Sequence, residues 1–129
     1  MIVAGHGVDV MEVERIRRAA ERFGERFLRR VFAPAEIAQA GRLGNPWQFY
    51  ASRFAAKEAF SKAVGTGFAG FGLRDVAVVR NAGGPPRFEF SEKLSRKFPG
   101  LNPGHFLLSL SHVRAVAVAS VIRVAPNQG

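Results

Sequence analysis

The sequence predicts an α+β fold, and three observations predict it. A helix-compatible stretch, PWQFYASRFAAKEAFSKAVGTG, occupies Pro46 to Gly67; a strand-like run opens the chain at Met1 to Val10; and the two most β-like runs, Phe106 to Ser111 and Val113 to Val124, come late. The late runs pair with the first, and the long helix packs on the sheet they make. With 129 residues, 47% of them hydrophobic and 12 of them Phe, the chain can bury a core without staples, so 1–129 reads as a single domain.

Met1 to Val10 sets Ile2, Val3, Val8 and Val10 around Gly5 and Gly7. Asp9, between two valines, is out of place by strand propensity, so its carboxylate faces water, caps the next helix or meets a ligand. From Glu12 the period becomes helical. Val13, Ile16, Ala20 and Phe23 form an apolar stripe that Gly24 interrupts or ends; Arg15, Arg18, Arg22 and, if the helix continues, Arg26 form a ridge opposite it. Charged stripes usually face solvent, yet Arg15 to Arg30 holds seven Arg against Glu21 and Glu25. Arg26 to Val31 and Pro34 to Ala40 read as two short helical pieces, with Gly41 and Gly44 marking the exit.

The long helix carries its own boundary signals: Asn45 as N-cap, Pro46 at the first position, and Gly65 and Gly67 after Val64. At about 100° per residue, Trp47, Tyr50, Ala51 and Phe54 share a stripe that Glu58, Ser61 and Lys62 continue. A second pattern, Phe49, Arg53, Ala56, Phe60 and Val64, predicts contact over much of the circumference. Glu58 and Lys62 are then either an ordinary i,i+4 pair or the charged end of an enclosed face. An enclosed carboxylate requires a cation, a metal or a proton as company.

Past the helix, Phe68 to Gly72 is rich in glycine and aromatics, Asp75 to Arg80 alternates as a strand, and Asn81 to Pro86 turns into a short strand at Arg87 to Phe90. Ser91 caps a brief helix that Pro99 and Gly100 stop. His112 follows Ser109-Leu110-Ser111 at the junction of two strand runs. A lone His there is more often a satisfied structural side chain than a catalyst.

Composition excludes several chemistries. There is no cysteine, hence no disulfide, thiolate metal site or cysteine nucleophile. No apolar run approaches a membrane span and no secretory signal opens the chain, which reads as cytoplasmic. The net charge of +9, with only four Lys among 19 basic residues, implies an acidic partner: nucleic acid, anionic lipid, a polyphosphate ligand or an acidic protein.

Three pieces together form a recognisable pattern: G-V-D at Gly7 to Asp9 followed by Glu14-Arg15, R-F-A-A-K-E-A-F-S-K-A-V-G-T-G at Arg53 to Gly67, and S-L-S-H at Ser109 to His112. In this order they resemble the holo-acyl-carrier-protein synthase family of 4′-phosphopantetheinyl transferases, over nearly the whole chain. Phe54 stands where many members carry Trp, and His6 where a small or apolar residue is common.

The resemblance implies a long helix on a curved, mainly antiparallel sheet. It also implies transfer of phosphopantetheine from coenzyme A to a serine of an apo acyl carrier protein, in fatty-acid or polyketide assembly, with Mg²⁺ required. By resemblance Asp9, Glu58 and Lys62 are catalytic, with Asp9 and Glu58 as metal ligands, while Arg53, Ser61, Lys62, Gly65 and His112 hold the coenzyme. Physical chemistry agrees on the ligand type, since Mg²⁺ takes one or two carboxylates plus phosphates and waters. Glu58 through a metal-bound water is the first choice of base, and His112 holds a coenzyme phosphate. The family implies a homotrimer with clefts between subunits, and the acidic carrier protein gives Arg15, Arg18, Arg22 and Arg26 a docking partner. The rival from another class is a nucleic-acid-binding module, which needs exposed aromatics among its basic residues and has no use for Asp9 or Glu58. A noncatalytic relative that binds coenzyme A shares every motif.

Overall fold

A computed structural model describes residues 1–65 and 70–126. Gly67 and Phe68, marked above as part of a helix stop and a glycine-rich turn, lie outside the described residues. In chain order the elements are β1 (Ile2–Glu12), α1 (Val13–Phe23), α2 (Glu25–Val31), α3 (Pro34–Ala40), α4 (Trp47–Val64), β2 (Val76–Arg80), β3 (Pro86–Phe90), α5 (Glu92–Lys97), β4 (Phe106–His112) and β5 (Val116–Ala125). Short 3-10 turns at Leu73–Asp75 and Pro103–His105 precede β2 and β4.

The strands form an antiparallel three-stranded sheet in the order β1-β5-β4 and a separate β2-β3 ribbon. The expectation that both late strands pair with the first is half right. β5 takes β1 on one side and β4 on the other, so β4 never reaches β1. β1 also runs to Glu12, two residues beyond the predicted strand, with a register shift between Val3 and Gly5.

α4 starts one residue later than its boundary signals predict, with Pro46 as N-cap in place of Asn45 and Trp47 as the first helical residue. The Asn45 side chain accepts from Trp47 N at 3.2 Å, the Pro46 carbonyl accepts the first helical bond from Tyr50 N, and Gly65 stops the helix in the left-handed region at φ 86°. Only a residue without Cβ takes that conformation cheaply.

Two apolar clusters share α4. One gathers Ala55, Ala59 and Phe60 with the ribbon, α5 and the sheet; the Phe60 ring lies 4.9 Å from Phe106, 5.2 Å from Phe88 and 5.4 Å from Phe90 between centroids. The other joins Tyr50 and Ala51 to Ile16, Val31 and Phe32. Burying α4 on so many sides explains its lack of a clean polar face. Its small residues also let β1 approach closely: a Cβ on Gly5 would fall 2.0 Å from the Ala63 carbonyl oxygen, and one on Gly7 1.9 Å from that of Ala59.

Two local expectations are corrected. α1 stops at Gly24 (φ 69°), so Arg26 belongs to α2 and does not extend the α1 ridge. Phe23, assigned to the apolar stripe, is 59% exposed, because the chain turns away before that ring meets the core.

Candidate active site

β1 and α4 bring together the first and second motifs. The pleat turns Gly5, Gly7, Asp9 and Met11 toward α4 and leaves His6, Val8 and Val10 on the outer face. Because the two glycines seat β1 directly on the helix backbone, Asp9 reaches Lys62: Nζ donates to the Val8 carbonyl at 3.0 Å and lies 3.3 Å from Asp9 Oδ1. The Asp9 side chain is 16% exposed and that of Lys62 55%. Asp9 Oδ2 is buried and has no hydrogen-bond partner, an arrangement that costs free energy unless something else satisfies it.

Glu58 completes the group. Burial raises its pKa above the ordinary carboxylate value, the neighbouring Asp9 charge raises it further, and Lys62 opposes both. It has no hydrogen-bond partner among the described residues. Two carboxylates that repel each other, one with a buried unpartnered oxygen, form a donor set suited to a hard cation. No cluster of three or more His, Cys, Asp or Glu that could hold a metal ion occurs among the described residues. The i,i+4 reading of Glu58 with Lys62 gives way, because Lys62 turns to Asp9 across the helix–strand contact.

Arg53 and His112 lie elsewhere. They line a groove of about 600 Å³ together with Arg80, Gln48, Phe49 and Ser111. The Arg53 guanidinium stacks 4.1 Å from the Phe49 ring centroid and Nη1 donates to Ser52 Oγ at 3.0 Å, while its buried Nε has no partner. Burial lowers its pKa, the Glu36 charge acts the other way, and the Arg80 charge adds to the lowering. At about 100° per residue, Arg53 and Lys62 sit on opposite sides of α4. One copy of the chain therefore does not bring its own Arg53 and His112 to its own Asp9. Ser61 is buried, its carbonyl accepting from Gly65 N at 3.1 Å, and Gly65 is exposed at the helix end.

Sequence reasoning missed two features. Arg80 closes the Arg53 groove from the end of β2, and no local motif marks it. Lys57 and Glu36 form a buried ion pair at 2.6 Å, with side chains 0% and 1% exposed. Lys57 Nζ also donates to the carbonyls of Val76 at 2.6 Å and Leu73 at 3.2 Å, and Glu36 accepts from Ala33 N and Val78 N. Every ammonium proton is thus used, and α3, α4 and β2 are tied at one point. The lone signal was a Lys inside the buried half of α4, which period alone does not separate from a solvated one.

The arginine ridge is exposed on α1. Arg18 lies 3.5 Å from Glu14, Arg22 sits 5.2 Å over the Phe23 ring, and Arg15 has no ion pair among the described residues. Arg17, outside the ridge, holds Glu14 and Glu21. The local acids therefore serve chiefly Arg17, leaving the ridge positive.

Comparison with known proteins decides the family. Residues 5–117 match the model of the 4′-phosphopantetheinyl transferase superfamily. The chain belongs to this superfamily. It is similar to the holo-[acyl-carrier-protein] synthase of Halorhodospira halophila, with 45% identity over 95% of this chain and 98% of that one. The crystal structure of the Neisseria meningitidis synthase aligns with a TM-score of 0.86 at 33% identity, covering 96% of this chain and all of the other. That of the Bacillus anthracis synthase, in complex with CoA (3′,5′-ADP), gives 0.75 at 32%, covering 95% and 97%. This chain is accordingly an enzyme of the holo-acyl-carrier-protein synthase family, and its α+β fold is that of the family. No described helix is long and apolar enough to cross a membrane.

Proposed function

We propose that the protein transfers 4′-phosphopantetheine from coenzyme A to a serine hydroxyl of an apo acyl carrier protein, releasing adenosine 3′,5′-bisphosphate, with Mg²⁺, in the cytoplasm and in fatty-acid or polyketide assembly. The observation that carries this reading is the Asp9–Glu58 pair with its buried, unpartnered oxygen and Lys62 at its edge. Asp9 and Glu58 would hold the cation, which when bound supplies Lewis-acid neutralisation of the pyrophosphate. Lys62 supplies a positive charge at the leaving phosphate, where phosphoryl transfer develops negative charge. The serine oxygen bonds to the β-phosphorus as the bond to the bridging oxygen breaks, and the serine proton leaves toward Glu58.

The groove of Arg53 and His112 has the chemistry for the coenzyme's terminal phosphate, with Ser61 and Gly65 nearer its pyrophosphate. Since that groove lies across α4 from Asp9, a second copy supplies it, in a homotrimer with sites between subunits. The outer sheet face supports this assembly, with Val8, Val10 and Leu107 exposed on it. Incubation with coenzyme A, Mg²⁺ and an apo carrier protein, read by intact mass, tests the reading. Addition of one phosphopantetheine is the expected result, and an unchanged carrier mass with well-folded protein overturns it.

A further inference from the structure

α4 works on two sides at once. With Arg53 as reference, the helical period puts Lys57 about 40° away, Glu58 about 140° and Lys62 about 180°. Lys57 thus shares the side of the Arg53 groove, while its neighbour Glu58 looks toward β1. A modest rotation of α4 about its axis would misaim both sides together. The apolar contacts do little to prevent it. Ala51, Ala55, Ala56, Ala59 and Ala63 are all buried, and their short methyls offer a smooth surface to a force that has no direction.

The directional constraint is Lys57. Its Nζ donates to Glu36 Oε1 at 2.6 Å, to the Val76 carbonyl at 2.6 Å and to the Leu73 carbonyl at 3.2 Å, three bonds for three protons. Glu36 answers from α3, with Oε1 accepting from Ala33 N at 2.8 Å and Oε2 from Val78 N at 3.0 Å. Val76, Val78 and Arg80 share one face of β2, so the strand that brings Arg80 to the groove is held two residues away from it. Stability alone does not call for an ion pair at this point. Apolar side chains of similar volume commonly equal or exceed a buried pair in stability. What they lack is a fixed geometry.

We propose that Lys57 and Glu36 are positioning residues of the transferase, setting the rotation of α4 and the seat of β2 so that Glu58 faces Asp9 while Arg53 and Arg80 face one groove. This rests on the transferase reading above. The test is the charge-free pair Lys57→Met with Glu36→Gln, assayed below its melting transition. Leu94→Ala is the control, since it loses core packing in α5, which does not line the groove. Transfer kinetics are joined by two calorimetric titrations that need no turnover, Mn²⁺ for the carboxylate pair and adenosine 3′,5′-bisphosphate for the groove. The folded double variant should show about a hundredfold lower kcat, with both affinities about tenfold weaker. Leu94→Ala should match the parent in all three. Glu36→Asp, which keeps the charge and shortens its reach, should act in the same direction, and it decides the matter if the double variant does not fold. A folded double variant with parent kcat and affinities overturns the proposal, and so does an equal loss in Leu94→Ala. Loss of one affinity with the other intact overturns the shared clamp. Absence of transfer by the unaltered protein overturns the transferase reading, and the two affinities then decide whether the pair positions both sites.

Discussion

Lys62 Nζ lies 3.3 Å from Asp9 Oδ1, joining the long helix to the first strand beside a carboxylate whose other oxygen has no partner. The lysine thus neutralises one member of the carboxylate pair before any substrate arrives, and it tempers the other through space.

Replacing Lys62 with Ala should lower kcat more than it weakens coenzyme A, because the charge acts most strongly on the leaving phosphate. Lys62→Arg should recover only part of the rate, since the planar guanidinium restores the charge and not its position. In the unliganded Ala variant the Glu58 carboxyl should titrate higher than in the parent, a shift readable by NMR. Equal losses in rate and affinity would mark a ground-state contact instead.

Glu58→Gln should abolish Mg²⁺-dependent transfer and yet make the metal-free protein more resistant to heat at neutral pH. Folding raises the Glu58 pKa, so its protonated form is the one the fold favours. That stabilisation is complete below the unfolded carboxylate pKa and disappears as pH rises through the folded value. Gln keeps the neutral state at every pH. The difference between parent and variant melting temperatures should therefore shrink as pH falls to the acid side of the carboxylate range. A variant less stable than the parent at neutral pH would contradict the repulsion argument.

Gly7→Ala should cost at least about 2 kcal/mol by overpacking, because the new methyl meets the Ala59 backbone oxygen and a backbone cannot step aside like a side-chain tip. β1 must lift from α4, so metal dependence should weaken along with stability. Gly44→Ala is the control, since a Cβ there meets nothing within 4 Å. Chemical denaturation of the two variants gives the comparison.

Lys57→Met should destabilise by about 3–5 kcal/mol, because it leaves the Glu36 carboxylate buried without its counter-charge. Adding Glu36→Gln should recover part of that loss and not all of it, since Ala33 N and Val78 N donate to different Glu36 oxygens and an amide offers an acceptor oxygen to only one of them. A double-mutant cycle in denaturant measures the coupling.

What the sequence made legible follows from the range of its signals. Asn45, Pro46 and Gly65 act within a turn of where they stand, so the limits of α4 could be read to within one residue. The order β1-β5-β4 could not, because β4 and β5 share the same alternation and nothing local says which takes the first strand. The nearness of Asp9 to Lys62 came through motif resemblance and not through spacing, since it depends on Gly7 seating against Ala59. The Glu36–Lys57 pair escaped because a buried ammonium and a solvated one occupy the same helical period. Phe23 misled because its stripe ran one residue short of a glycine that turns the chain away.

Ile2 pairs with Ala125 and Glu12 with Val116, so almost the entire described chain separates the two members of every rung between β1 and β5. Contacts of such long sequence separation return no energy until a large loop has closed, and they form late. The helices can be present well before Gly7 finds Ala59. Until then Asp9 is an isolated carboxylate far from Lys62, and a half-folded copy is catalytically silent rather than partly competent. Recovery of activity during refolding should consequently lag the return of helical dichroism, reporting completion of the last rungs of the sheet.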